Sequence, residues 1–123
     1  MSKKIIVAED SSVIQNLTKK ILTQMNYEIA SVKNGQQVLD LLDEQTYDLI
    51  LLDIHMPVMD GMECATRIRN LTTANKDIPI IAITGNANNY AMKDFESVGI
   101  NDFIPKPLNY DNLVETVRKH IAK

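Results

Sequence analysis

The sequence predicts a three-layer α/β fold: a parallel five-stranded sheet with helices on both faces. Three observations carry that prediction. Short continuous apolar runs, such as Ile5-Ile6-Val7-Ala8, Leu49-Ile50-Leu51-Leu52 and Ile78 to Ile83, read as strands buried on both faces. Segments with apolar residues at helical spacing lie between them. The alternation runs from one end to the other, with no linker, repeat or low-complexity tract.

The first strand is Ile5–Ala8. Residues 13–25 place Ile14, Leu17, Ile21, Leu22 and Met25 on one stripe, which predicts an amphipathic helix. Ser12, with Gln15 three residues later, resembles a capping box at its start. Tyr27 to Val32 alternates and predicts a weaker second strand. Asn34-Gly35 opens a second helix with Val38, Leu39 and Leu42 on one face. The third strand spans 48–52. Asp60, with Glu63 three later, caps a third helix running to about Leu71. Ile78–Ile83 is the fourth strand, and 88–97 a weaker fourth helix. Asp102–Ile104 is a short fifth strand. Asn109 caps a last helix that turns Leu113, Val114, Val117 and Ile121 inward.

Five such βα units form a (βα)5 three-layer sandwich, and right-handed crossovers leave few topologies. The flavodoxin-like strand order 2-1-3-4-5 is the natural candidate. At 123 residues, the chain 1–123 reads as one domain with a real core. Its net charge of −3, with acids and bases interspersed, argues against nucleic acid as the main partner. Lys3-Lys4 is too short a basic patch to change that. The single cysteine, Cys64, rules out an intrachain disulfide and fits a reducing compartment. "MSKKIIVAED" is neither a signal peptide nor a membrane span. A cytoplasmic protein, with no membrane contact, is expected.

The segment "DLILLDIHMPVMDG", residues 48–61, runs a buried strand straight into Asp53. Burying a carboxylate is costly unless it is paired or bound to a metal. In a sheet of this order, ligands bind beyond the carboxyl ends of the strands, where strands 1 and 3 meet. Strand 1 ends in Glu9-Asp10, strand 3 in Asp53, strand 4 in Thr84-Gly85 and strand 5 near Lys106-Pro107. Three carboxylates gathered there repel one another unless neutralised. Oxygen ligands alone point to a hard cation, Mg²⁺ (or Mn²⁺). Lys106 adds a fixed positive charge and Thr84 a hydroxyl donor. A carboxylate held among a divalent cation, a lysine and a hydroxyl is a phosphoryl acceptor site.

These residues, in "VAEDSS", "LILLDIHMPVMDG", "IIAITGNA" and "FIPKPL", resemble the receiver domain of two-component response regulators over essentially the whole chain. The resemblance implies a phosphoacceptor role for Asp53. It implies direct metal binding by Asp10, mostly water-mediated binding by Glu9, and a third protein ligand in the His55 backbone carbonyl. Thr84 and Lys106 would hold the phosphoryl oxygens, Lys106-Pro107 would be a cis peptide, and Phe103 would change rotamer with Thr84. Such a domain catalyses only its own phosphorylation and dephosphorylation. It changes the surface of its fourth helix, fifth strand and fifth helix to signal to a downstream protein. Its donor is a sensor histidine kinase or a histidine phosphotransfer protein. "MPVMDG" and "KPL" look like receivers fused to hybrid kinases, so the chain reads either as a stand-alone protein or as a module of a longer one. Glu9 departs from the aspartate often found there, and His55 and Asn86 occupy positions where the family tunes dephosphorylation.

Plainer readings attach to each residue singly. Glu9-Asp10 alone suits a helix N-terminus, Asp53 a turn, Thr84 a strand end, Lys106 a solvated lysine, Phe103 a core aromatic. His55 reads as a partly exposed loop residue, Cys64 as structural, His120 as a residue suited to a helix C-terminus, and Met56, Met59 and Met62 as packing. Two rival functions share parts of the pattern. An FMN-binding, flavodoxin-type electron carrier needs a phosphate loop rich in Ser, Thr and Gly, where this chain has Glu9-Asp10. An aspartyl-phosphate phosphatase or phosphotransferase of the haloacid-dehalogenase type carries a second Asp where this chain has His55, and has a cap domain.

Overall fold

The computed structural model, which describes residues 2–85 and 92–121, contains the predicted sheet. Strands β1 (Lys4–Ala8), β2 (Glu28–Val32), β3 (Leu49–Asp53), β4 (Ile80–Thr84) and β5 (Asp102–Pro105) stand in the order β2-β1-β3-β4-β5, all pairs parallel. Parallel neighbours need crossovers, supplied by α1 (Ser12–Gln24), α2 (Gly35–Glu44), α3 (Gly61–Arg69), α4 (Met92–Ser97) and α5 (Tyr110–Ile121). The predicted start of the fourth helix, at 88–91, lies outside the described residues.

Side chains alternate across each strand, so the sheet serves two cores. Ile6, Ala8, Ile50, Leu52 and Ala82 face α2, α3 and α4. Ile5, Val7, Leu51, Ile81 and Ile104 face α1 and α5. The three central strands are covered on both sides, which is why their sequences are uninterrupted apolar runs. Truncating one of these side chains to alanine costs about 2–5 kcal/mol. β2, at the edge, is only partly buried.

The structure corrects several local expectations. Ser11, not Ser12, caps α1, its side chain accepting from Ile14 N at 3.4 Å. Gln15 does not reach back to the cap; its amide donates to Glu9 O at 3.2 Å and Val32 O at 2.8 Å. Those two bonds rotate α1 so that Gln15, Thr18 and Leu22 are buried and Leu17 faces outward. The fourth strand starts at Ile80, because a 3-10 turn over Ala74–Asp77 precedes it. In α5 the inward face is Leu113, Thr116, Val117, His120 and Ile121, with Val114 at its margin. Asn34 and Asp60 cap α2 and α3 as expected, at 2.9 Å each. Among the described residues no helix is long and apolar enough to cross a membrane.

At the amino ends of the strands, Lys3, Asp48, Asn101, His120 and Ile121 line an open cleft of about 490 Å³. Val58 takes a φ of 70°, and Met59 N bonds back to Pro57 O at 2.7 Å. That is a tight γ-type turn, strained for a β-branched residue. The turn sets Met59 into the core, where its backbone lies 3.0 Å from where a Cβ on Gly35 would stand.

Candidate functional site

Because all five strands run the same way, their carboxyl ends share one edge. The ladders continue just past the strands and aim the first loop residues. Glu9 N donates to Val32 O at 3.0 Å, and Ile54 N to Ile83 O at 3.0 Å. Pro105 stands opposite Thr84, and the parallel ladder continues past it in the same way, Lys106 N donating to Thr84 O at 2.9 Å. That bond ties the Lys106 backbone to the end of β4. The Lys106-Pro107 peptide that follows is cis.

Glu9 and Asp53 are each 1% exposed, Thr84 is fully buried, and Asp10 is exposed. One carboxylate oxygen from each of Glu9, Asp10 and Asp53 lies within 4.8 Å of the others. Backbone amides orient two of them. Ser11 N donates to Glu9 Oε2 and His55 N to Asp53 Oδ1, both at 3.1 Å. Lys106 Nζ stands 3.3 Å from Glu9 Oε1 and 3.4 Å from Asp53 Oδ2. Those two buried oxygens are ion-paired, yet among the described residues neither accepts a hydrogen bond. Burial pushes the Glu9 carboxyl up to about 7, and the adjacent Asp53 pushes the same way, against Ser11 N and Lys106.

The donor set fits a hard divalent cation. Three carboxylates face one lysine, and two buried oxygens have lone pairs to spare. Glu9, Asp10 and Asp53 are the side chains that would hold it.

The structure therefore brings Glu9, Asp10, Asp53 and Lys106 together and puts Thr84 on the strand beside Asp53. His55 is exposed two residues on. Asn86 lies outside the described residues. Phe103 sits one strand further out, half-buried, its ring centroid 5.5 Å from that of Phe95 on α4. Cys64 is buried, its thiol 3.7 Å from Gly35 O. Met56 and Met59 are core residues.

Sequence reading missed one contributor to the site, Gln15, whose amide braces the Glu9 backbone. Away from the site, at the opposite end of the sheet, it also missed the bond between His120 Nε2 and Asp102 Oδ2 at 3.0 Å.

Comparisons with known proteins agree on one family. The sequence signature of the response regulator receiver domain matches residues 5–118. The chain is 38% identical over 98% of its length to hybrid signal transduction histidine kinase I of Dictyostelium discoideum, covering 7% of that protein. It is 36% identical over 94% of its length to the CAI-1 autoinducer sensor kinase/phosphatase CqsS of Vibrio cholerae, covering 17% of it. It thus spans a small part of these relatives. Among solved structures, the receiver domain of sensor histidine kinase PA1611 from Pseudomonas aeruginosa superposes with a TM-score of 0.90 at 29% identity, covering all of both chains. That structure holds a magnesium ion coordinated in its active site cleft. The receiver domain of Ssk1, crystallised with the Saccharomyces cerevisiae histidine phosphotransfer protein Ypd1, shares the fold at a TM-score of 0.85 and 24% identity, covering 98% of this chain and 90% of that one.

Proposed function

The chain belongs to the response regulator receiver domain family, and on that premise we propose that Asp53 is its phosphoacceptor, working with Mg²⁺, Thr84 and Lys106. The observation that carries the proposal is the meeting of Glu9, Asp10 and Asp53 within 4.8 Å, with Lys106 bridging two of them. The whole of 1–123 is read as this one domain, in a cytoplasmic setting that suits an unpaired Cys64.

The donor is a phosphohistidine on a sensor kinase or a phosphotransfer protein. The hybrid-kinase relatives support that reading, as does the Ypd1 complex of a receiver with the same fold. An Asp53 oxygen attacks phosphorus as the P–N bond breaks, and the electron pair stays on the imidazole nitrogen. When bound, the divalent cation offsets the charge of the phosphoryl oxygens. The His55 amide holds Asp53 Oδ1 in place. Lys106 moves from bridging two carboxylates to holding a phosphoryl oxygen, a charge-assisted bond worth about 1.5–3 kcal/mol. Thr84 donates its hydroxyl to another. Its movement frees space beside β4 into which Phe103 turns, and the face of α4, β5 and α5 changes for a downstream protein. Because both states are close in energy, phosphorylation shifts a population. The chain transforms no substrate other than its own phosphoryl donor. Glu9-Asp10 after β1 disfavours an FMN phosphate, and His55 stands where a phosphatase of the haloacid-dehalogenase type has its second Asp.

The test is labelling with acetyl phosphate and Mg²⁺, read by mass spectrometry. One phosphoryl group is expected on the wild-type chain and none on Asp53→Asn. Full labelling of that variant, or a label mapped to His55, overturns the assignment.

A further inference from the structure

We infer that α3 is a second mechanical connection between the acceptor and the output face, with Arg69 as the positioning residue at its far end. The inference rests on the reading of Asp53 as acceptor.

At its near end, α3 is fused to the acceptor strand. Gly61 N donates to Ile54 O at 2.9 Å. A Cβ on Gly61 would stand 2.8 Å from Ile54 Cα and 2.9 Å from Asp53 O, so the helix start rests directly on the acceptor's backbone. Asp60 closes the first turn by accepting from Glu63 N. The bond from His55 N to Asp53 Oδ1 places the same loop under the control of the carboxylate that reacts.

Along its length, α3 is held by Cys64, Ala65 and Ile68, all fully buried. Its nine residues span about 13 Å as one stiff rod.

At its far end, one guanidinium grips two separate segments, the 3-10 turn at Lys76 and the loop from Gly99 to Asn101. Arg69 Nε and Nη2 donate to Gly99 O at 3.0 and 2.6 Å. Nη1 donates to Lys76 O at 2.7 Å, and Nη2 also to Asn101 Oδ1 at 3.1 Å. Asn101 Oδ1 in turn accepts from Ile80 N at 2.8 Å, at the start of β4. Gly99 is where α4 stops. It has a φ of 84°, with Gly99 N bonded to Glu96 O and Ile100 N to Phe95 O, a Schellman cap. A Cβ there would meet Arg69 at 2.6 Å, so glycine is required both by conformation and by the arginine's approach. Phe95, four residues back, is the ring that packs at a tilt against Phe103.

The rod therefore ends on the loop between α4, which carries Phe95, and β5, which carries Phe103. A displacement of the Ile54–Asp60 loop is carried along α3 to the corner where α4 ends and β5 begins. An unbroken chain of packed and bonded groups joins the two ends.

The experiment compares amide NMR spectra with and without Mg²⁺ and beryllofluoride, an acyl-phosphate mimic, in wild type, Thr84→Ala, Arg69→Met and the double variant. In Thr84→Ala, Phe103 should lose its response while Gly99, Ile100 and Asn101 still shift. In Arg69→Met those three should fall silent while Phe103 still responds, and the double variant should show neither. Arg69→Lys keeps the charge but cannot donate to Gly99, Lys76 and Asn101 together. It should be nearly as silent at the corner, and it takes the place of Arg69→Met if that variant does not fold. Wild-type shifts at Gly99–Asn101 in the Arg69 variants overturn the inference while leaving Asp53 as acceptor. The acceptor reading itself fails separately, if no residue around Asp53 shifts in the wild-type chain.

Discussion

Lys106, on the loop after β5, reaches past the end of β4 to stand 3.4 Å from Asp53 at the end of β3. In the resting site this lysine neutralises charge that a divalent cation also neutralises. Lys106→Met should therefore slow phosphoryl labelling by about 10²-fold, the usual cost of losing one positioned donor to developing charge. Its Mg²⁺ affinity should stay the same or rise, since a competing cation is gone. Parallel labelling and Mg²⁺ titrations check both halves. A wild-type labelling rate would show that the lysine is only an ion-pair partner.

Glu9 makes the metal-free site sensitive to pH. Its carboxyl holds a proton up to about 7 in the folded chain, against 4.5 for an ordinary glutamate. Between those values the folded state binds more protons than the unfolded one. The associated stability is present below 4.5 and lost as pH rises to about 7. Denaturation in a chelator should show that decline in wild type and a flatter profile in Glu9→Gln. Because the cation and the proton compete, Mg²⁺ affinity should fall as pH drops below about 7, and fall less in the glutamine variant.

Asn75 should matter for stability and not for chemistry. It is 3% exposed, accepts from Tyr47 N at 3.2 Å and donates to Leu42 O and Gln45 O at 2.9 Å each. Asn75→Leu strands three backbone groups and should cost about 2–4 kcal/mol in urea denaturation. Below the transition the variant should still label on Asp53 at the wild-type rate.

Cys64 offers a probe of opening between α2 and α3. Burial, with Asp60 nearby, pushes its thiol up to about 12, and its side chain is fully buried. Thiolate is the reactive form, so iodoacetamide should modify the native chain only through unfolding. Mg²⁺ with beryllofluoride, bound by the folded state alone, should slow modification further. Rapid modification of the native chain would contradict the packing described here.

The sheet order and the acidic edge were legible because they follow from runs of like residues. Buried parallel strands are continuous apolar runs, and a charge at the end of one stands out. What was hidden depends on rotation and reach. The face α1 buries was misjudged because Gln15, a polar residue, turns inward to serve two carbonyls. His120 and Asp102, on different elements, meet through packing that no spacing rule encodes. Arg69 reads as an ordinary charge on a helix end until Gly99 is brought against it. Local pattern sets which element forms. The partners of long polar side chains are set by elements far away in sequence.

Lys3, just before β1, and Ile121, at the end of α5, line the same cleft at the amino ends of the strands. The acidic edge of Glu9, Asp10 and Asp53 lies at the other end. Such a unit can be spliced into a longer polypeptide, or strung in tandem, without its tethers crossing that edge. Geometry also taxes such a tether. A histidine donor attached at that end must travel the height of the sheet, about 17 Å for a five-residue strand. A linker much shorter than about five extended residues leaves the donor unable to reach its own acceptor. The length of a connecting segment then sorts transfer within one polypeptide from transfer between two.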